Sequence, residues 1–207
     1  VVDTPDAGPP DTGPLETGPL NAGPLETGPL DTGPLEIGPL DVAGAGAVAG
    51  LVNDAYALTE EGLWVNGTGV RTTVAEVAEL ARARQLFVAR AGGRLVGCVR
   101  VERLSADVGE LGMLAAAATD RGLGVGRGLV EFAEGRARAG GQAVMQLRLL
   151  VPRGWTHPFK DRLDRWYRRI GYRPVRTDRI DDLHPDLVPL LATECDFVVY
   201  HKDLRSG

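Results

Sequence analysis

The chain has 207 residues, with 28 acidic and 23 basic side chains and a net charge of −5. Residues 1–41 hold eight of the acidic groups and no Lys or Arg, so the remainder is weakly basic and, at roughly 165 residues, of a size for one compact domain rather than two. No basic run interleaved with aromatics marks a nucleic-acid surface. No apolar run reaches the roughly 18 residues of a membrane span, and no signal peptide opens the chain, so a soluble cytoplasmic protein is expected.

Six tandem pentapeptides run from Asp11 to Leu40 (DTGPL, ETGPL, NAGPL, ETGPL, DTGPL, EIGPL), after a degenerate copy, Asp6-Ala-Gly-Pro-Pro10. Gly-Pro in each unit opposes both helix and sheet ladders, and one Leu per unit buries too little area to offset ordering the backbone. Residues 1–41 therefore read as a disordered, acidic, partly polyproline-like spacer, and residues 42–207 as the folded domain. Collagen is excluded because its period is three. Two motifs here lack their structural context. Asp11-Thr-Gly and Asp31-Thr-Gly match an aspartic-protease triplet without an apolar strand before them. Gly44-Ala-Gly-Ala-Val-Ala49 matches a dinucleotide fingerprint but follows the spacer, so it is read as the opening of the first helix.

Val48, Leu51, Val52, Ala55 and Leu58 recur at helical spacing and predict a helix over 45–60. Thr73-Val-Ala-Glu76 is a capping box that opens a second helix, with Val77, Leu80 and Ala81 on its apolar face. Residues 85–91 and 95–104 are β-rich runs joined at Gly92-Gly93, which predicts a hairpin. A third strand is expected over 109–117, then a helix carrying Val125, Leu129, Phe132 and Ala133. A strand over 144–151, a helix over 159–170 stopped by Gly171, and strands over 172–180 and 196–201 complete the order. The pattern is an α+β domain with helices bracketing a central mixed sheet. Cys98 and Cys195 sit in apolar surroundings without metal-type spacing and read as reduced core thiols.

Between the third strand and its helix lies Arg121-Gly-Leu-Gly-Val-Gly-Arg-Gly128, with glycine at alternate positions. A glycine turn feeding a helix N-terminus exposes backbone N–H groups at the positive end of the helix dipole, which suits phosphate. A mononucleotide loop needs Gly-Lys-Ser/Thr, and here Gly126 precedes Arg127 and Gly128. A dinucleotide loop needs glycine three positions after the second glycine, where Arg127, Leu129 or Glu131 stands.

The form that fits is Arg-x-x-Gly-x-Gly over 121–126, which resembles the acyl-CoA pyrophosphate loop of the GCN5-related N-acetyltransferase (GNAT) superfamily. Glu110-Leu-Gly-Met-Leu-Ala-Ala116 resembles the family's fourth strand, and Trp166-Tyr-Arg-Arg-Ile-Gly-Tyr172 its aromatic-Tyr-x-x-x-Gly-aromatic signature. The resemblance spans about residues 45–203. It implies a GNAT-like fold with acetyl-CoA as co-substrate and no metal. Leu114, Ala116, Arg121, Gly122, Gly124, Val125, Gly126 and Arg127 would bind the cofactor, with Ala116 offering its amide to the oxyanion at a strand bulge. It also implies Tyr167 as the acid that protonates the thiolate and Glu110 as the general base.

Two departures stand out. Ala118 occupies a position where the family often has Pro, and the Gly-Pro repeat stands where the family's first strand belongs. The sequence leaves either a sheet that lacks its first strand or a misassigned start. Tyr56, Trp64 and Trp155 are candidates for an acceptor pocket, His157 reads as a hydrogen-bonded loop residue, and the Arg-rich run over 160–179 as a solvated helix face. Asn66-Gly-Thr68 is a sequon without meaning in a cytoplasmic protein. The expected function is transfer of acetyl from acetyl-CoA to the primary amine of a small molecule or protein terminus. The alternative is a non-catalytic acyl-CoA-binding or regulatory module. The expected partners are the amine-bearing substrate and a second copy in a homodimer, with neither nucleic acid nor membrane.

Overall fold

The computed structural model describes residues 34–65, 69–120 and 123–205. Seven strands form one sheet among them, in the order β1-β2-β3-β4-β5-β7-β6. The strands are β1 Glu36–Pro39, β2 Leu86–Ala91, β3 Arg94–Arg103, β4 Val108–Ala116, β5 Val144–Pro152, β6 Arg173–Arg179 and β7 Cys195–Asp203. Five helices accompany them: α1 Ala45–Thr59, α2 Val74–Arg82, α3 Val125–Ala139, α4 Pro158–Arg169 and the short α5 Ile180–Leu183. No helix among the described residues is long and apolar enough to cross a membrane.

The sheet has its first strand, and the expectation of a missing one is corrected. The last pentapeptide copy supplies β1, which pairs antiparallel with β2 through Glu36↔Arg90, Ile37↔Ala89, Gly38↔Val88 and Pro39↔Phe87. The folded part thus begins before residue 42. Leu40 N–H donates to Leu86 O at 3.0 Å, so by the two-residue alternation of an antiparallel ladder Pro39 turns its donorless nitrogen to the open edge. A proline there costs no ladder bond and blocks further pairing. Leu35 and Ile37 lie against the core and Leu40 is buried. Thr, which most other copies carry at the position of Ile37, would leave a hydroxyl there.

Local signals hold where they were strongest. The Asp41 side chain accepts from Ala43 N at 2.9 Å and opens a short turn into α1, whose Ala45, Val48, Ala49 and Val52 are buried. Thr73 and Glu76 form the expected reciprocal capping box. Gly92 and Gly93 both have positive φ, 55° and 78°, the geometry of the tight turn that matches strand twist. Strands β2 and β3 are buried on both faces because α1 and α2 cover one side and α3 the other, while α4 packs on β5. A third cluster gathers Leu63, Leu150, Ile180, Cys195 and Phe197 beneath α5. Both cysteines are free and buried, and burial pushes the Cys98 thiol up to about 12 and the Cys195 thiol up to about 11. Helix α5 was missed in the sequence because four residues are too few to show a periodicity.

Burying one Leu contributes about 2 kcal/mol, and in a domain of this size each kcal/mol moves Tm by about 2–4 °C. A chain starting at residue 34 should therefore melt at least about 5 °C above one starting at residue 42, which lacks β1 and Leu40. Differential scanning calorimetry on the two truncations checks this.

Candidate active site

Strands β4 and β5 run parallel and pair only at Val108↔Val144, Gly109↔Met145 and Glu110↔Gln146, then separate. A register shift against β3 between Cys98 and Arg100 marks a bulge in β4, where Met113 takes φ 44°, rare for a residue with a Cβ. Beyond the bulge Ala117 N–H donates to Val96 O at 2.9 Å, so the amide of Ala116 points the other way, into the gap.

The gap opens onto two cavities. A smaller one of about 370 Å³ is lined by Leu114, Ala116, Gly126, Leu163, Trp166 and Tyr167, with Glu60 and Lys160 at another wall. A larger one of about 900 Å³ is lined by Glu110, Gly112, Arg71, Arg100, Arg148 and His184 among others. Tyr56, Arg71, Leu114, Arg148, Tyr167 and Phe197 line both, so the two meet at Tyr167 and Leu114.

Helix α3 starts at the smaller cavity. Gly124 holds φ 76° at its N-cap, a left-handed conformation that glycine adopts without penalty, and no side chain caps the helix. The first-turn N–H groups of Val125, Gly126 and Arg127 thus lack intrahelical acceptors. Gly128 serves packing instead, since Leu35 Cδ2 lies 2.8 Å from where its Cβ would stand. Val125 is buried in the core, and the Arg127 guanidinium pairs with Glu131 at 2.8 Å on the exposed face rather than turning inward. Arg121 and Gly122 lie outside the described residues. The loop is anchored just before them. Buried Asp120 receives Arg94 through both oxygens, at 2.6 and 2.9 Å, and Thr119 Oγ1 at 2.9 Å.

Tyr167 is only 6% exposed yet faces both cavities, and among the described residues its hydroxyl has no hydrogen-bond partner. Burial, with Tyr56 and Tyr200 beside it, pushes its phenol well above the usual tyrosine range, so it is protonated at rest. Trp166, Tyr172 and Tyr200 surround the ring at centroid distances of 4.9–6.1 Å. Tyr172 is in turn held by its hydroxyl donating to Glu134 at 3.0 Å. Glu110 Oε2 accepts from Gln146 Nε2 at 2.6 Å and lies 3.1 Å from Arg148 Nε. Its Oε1 has no partner among the described residues. Gln146 is itself held at 3.0 Å by His201 Nε2, across the β5–β7 register.

The structure brings Tyr56 to both cavities, but Trp64 and Trp155 line neither. Trp64 Nε1 donates to Glu60 at 2.7 Å, and Trp155 stacks on His157. His157 caps α4, its Nδ1 accepting from Phe159 N at 3.1 Å and its Nε2 meeting Glu61 O at 3.1 Å. The run over 160–179 is a solvated helix face only in part: Arg165 pairs with Asp161 and Arg168 with Asp164 on the exposed side of α4, but Lys160 is buried and Arg173–Arg179 form β6. Asn66-Gly-Thr68 lies outside the described residues. Sequence reasoning missed the buried Glu60–Lys160 pair, 2.7 Å apart, and the Arg94–Asp120 and Glu110–Gln146–His201 contacts. All of these link positions far apart in sequence, and no local pattern announces them.

Residues 82–174 match the family model described as "Acetyltransferase (GNAT) domain". Over that stretch the chain is similar to this family's domain. Solved GNAT structures share the fold at low identity. The PaiA N-acetyltransferase of Thermoplasma acidophilum, in complex with coenzyme A, is 16% identical with a TM-score of 0.64, covering 82% of this chain and 99% of that one. YncA of Salmonella typhimurium, a putative acetyltransferase with acetyl-CoA, is 16% identical with a TM-score of 0.60, covering 83% and 95%. The ribosomal-protein-S18-alanine N-acetyltransferase of Escherichia coli is 14% identical with a TM-score of 0.60, covering 82% and 94%. No curated protein matches the chain.

The wall of the cleft is pinned by the Glu60–Lys160 pair, buried on both sides. Burial alone would raise the Glu60 carboxyl, but the Lys160 and Arg71 charges and hydrogen bonds from Lys160 and Trp64 hold it below the usual range. A depressed folded-state value means the pair stabilises above the ordinary carboxylate range and the contribution fades as pH falls through the folded value. Glu60→Gln should cost about 3–5 kcal/mol at neutral pH, leaving Lys160 buried and unpaired. Urea unfolding of the two proteins, repeated toward acid, should show the difference shrinking below the ordinary carboxylate range.

Proposed function

We propose that this domain binds acetyl-CoA in the smaller cavity and passes its acetyl group to a primary amine seated in the larger one. The observation that carries the reading is the gap between β4 and β5, which joins an uncapped helix N-terminus on one side to a polar cavity on the other, with Tyr167 at the junction. The residues present suit the co-substrate. The amides of Val125, Gly126 and Arg127 face pyrophosphate, with Gly124 setting the turn and Arg121 and Gly122 completing the loop. Leu114, Ala116 and Leu163 offer an apolar channel with one free strand edge for the pantetheine arm.

In the reaction the amine nitrogen attacks the thioester carbonyl carbon. The C–N bond forms, the C–S bond breaks, and the electron pair leaves on sulfur. The Ala116 N–H, aimed into the gap, steadies the oxyanion. Glu110 takes the proton from the amine through its free Oε1, directly or through a water. Tyr167 gives its proton to the departing thiolate and is reprotonated from solvent. Arg127 acts through its backbone, since its side chain is committed to Glu131. The acceptor is a small molecule or a protein terminus, and the enzyme is cytoplasmic and homodimeric.

Calorimetric titration with acetyl-CoA followed by a thiol-release assay on a panel of amines tests the reading. Tyr167→Phe should lower kcat about 100-fold while changing the acetyl-CoA Kd less than about twofold. Unchanged turnover would remove the acid role. Gly126 has its nearest neighbour, Trp166 Cη2, 4.0 Å from a built Cβ, so a larger side chain there projects into the cavity. Gly126→Leu should weaken acetyl-CoA at least about tenfold with Tm nearly unchanged, and retained affinity would remove the loop from the cofactor site.

A further inference from the structure

The larger cavity brings three guanidinium groups beside three carboxylates, those of Glu76, Glu79 and Glu110. Arg71, Arg100 and Arg148 line it, from the segment before α2, from β3 and from β5. Most carboxylates nearby are already committed. Glu76 gives Oε2 to Thr72 Oγ1 and to Thr73 N at 3.1 and 2.9 Å, closing the capping box. Glu79 pairs with Arg82 at the exposed rim, and Glu102 with Arg100. Glu110 is shared between Arg148 and Gln146.

One guanidinium lacks an ion-pair partner, and another, paired with Glu102, keeps an unused donor. Arg71 has no ion-pair partner among the described residues, its guanidinium lying 5.0 Å from the centre of the Tyr56 ring. Arg100 carries a buried Nε with no hydrogen-bond partner. Arg71 is also held in place. Asn53 Oδ1 accepts from Arg71 N and Thr72 N at 2.9 and 3.1 Å, while Asn53 Nδ2 donates to Thr72 O at 3.0 Å. This clamp fixes the backbone that aims Arg71 across a cavity roomy enough for a ligand of several heavy atoms.

We propose that the acceptor is a small amine that also bears a carboxylate, with the carboxylate held by Arg71 and Arg100 and the amine presented to Glu110 and Tyr167. A planar carboxylate matches the guanidinium fork with two parallel hydrogen bonds and supplies the missing negative charge. A diamine or polyamine would place its second cation beside the unpaired Arg71 guanidinium and is disfavoured there. The proposal rests on the N-acetyltransferase reading and narrows its substrate class.

The test is thiol release by the full chain with saturating acetyl-CoA, using the free amino acids, their α-amides, diamines and aminoalkyl phosphonates. At least one free amino acid should exceed its amide in kcat/KM by about tenfold or more, and diamines should be poorer still. On that substrate Arg71→Gln should raise KM at least about tenfold with kcat little changed, should leave KM for the amide nearly unchanged, and should be partly rescued by Arg71→Lys. Arg100→Gln provides an independent variant, expected to act in the same direction. Equal use of acid and amide, preference for diamines, or equal KM rises on both would overturn the carboxylate site. Preference for the phosphonates would overturn the carboxylate in favour of a phosphate-like anion. Failure to bind acetyl-CoA, or binding without thiol release on any amine, would overturn the underlying enzyme reading instead.

Discussion

The parting of β4 from β5 after three paired residues is the constraint on which the site depends. Parallel neighbours in the middle of a sheet ordinarily bond along their length, because an unpaired buried N–H or C=O forfeits a bond it had with water. Here the Met113 bulge turns β4 away and leaves edge groups, the Ala116 amide among them, facing a gap inside the domain. Such an edge is tolerable only where a solvent or a ligand covers it. The same separation admits both cavities and brings Tyr167, on a helix packed across the gap, into contact with each.

Around that opening the walls are tied by long-range polar contacts. Glu60–Lys160 joins the end of α1 to α4, Arg94–Asp120 joins the β2–β3 turn to the segment before α3, and Asn53 joins α1 to the segment before α2. These contacts span 18 to 100 positions of sequence. They hold the loops on either side of the gap to the sheet, so the floor can remain open without the walls closing over it.

How much of this was legible follows from how local each signal is. The capping box at Thr73 and the Gly92-Gly93 turn are written in a few adjacent residues and both appear as read, and Gly124 takes a left-handed conformation at the start of α3. Tyr167 at the cavity junction was reachable because Trp166 precedes it on α4 and Gly171 follows just beyond the helix end. Strand β1 was not reachable by the same means. Gly-Pro composition argues against a ladder, and only the partner strand reveals that the proline faces outward. The glycine run also held more than one purpose. Gly124 supplies a backbone conformation, whereas Gly128 makes room for Leu35, a contact invisible until the repeat is seen to fold back. The arginines of the larger cavity stand on three separate elements, so no spacing rule gathers them.

Because β1 is cut from the last copy of a tandem array, the sheet edge tolerates changes in the number of copies. Gain or loss of whole pentapeptides upstream shifts no residue of the strand against β2, since the unit adjoining Asp41 keeps its place. Slippage in the repeated coding sequence can therefore lengthen or shorten the leader while the catalytic fold inherits an unaltered first strand. Ile37, where most of the other copies have Thr, marks which unit is part of the domain.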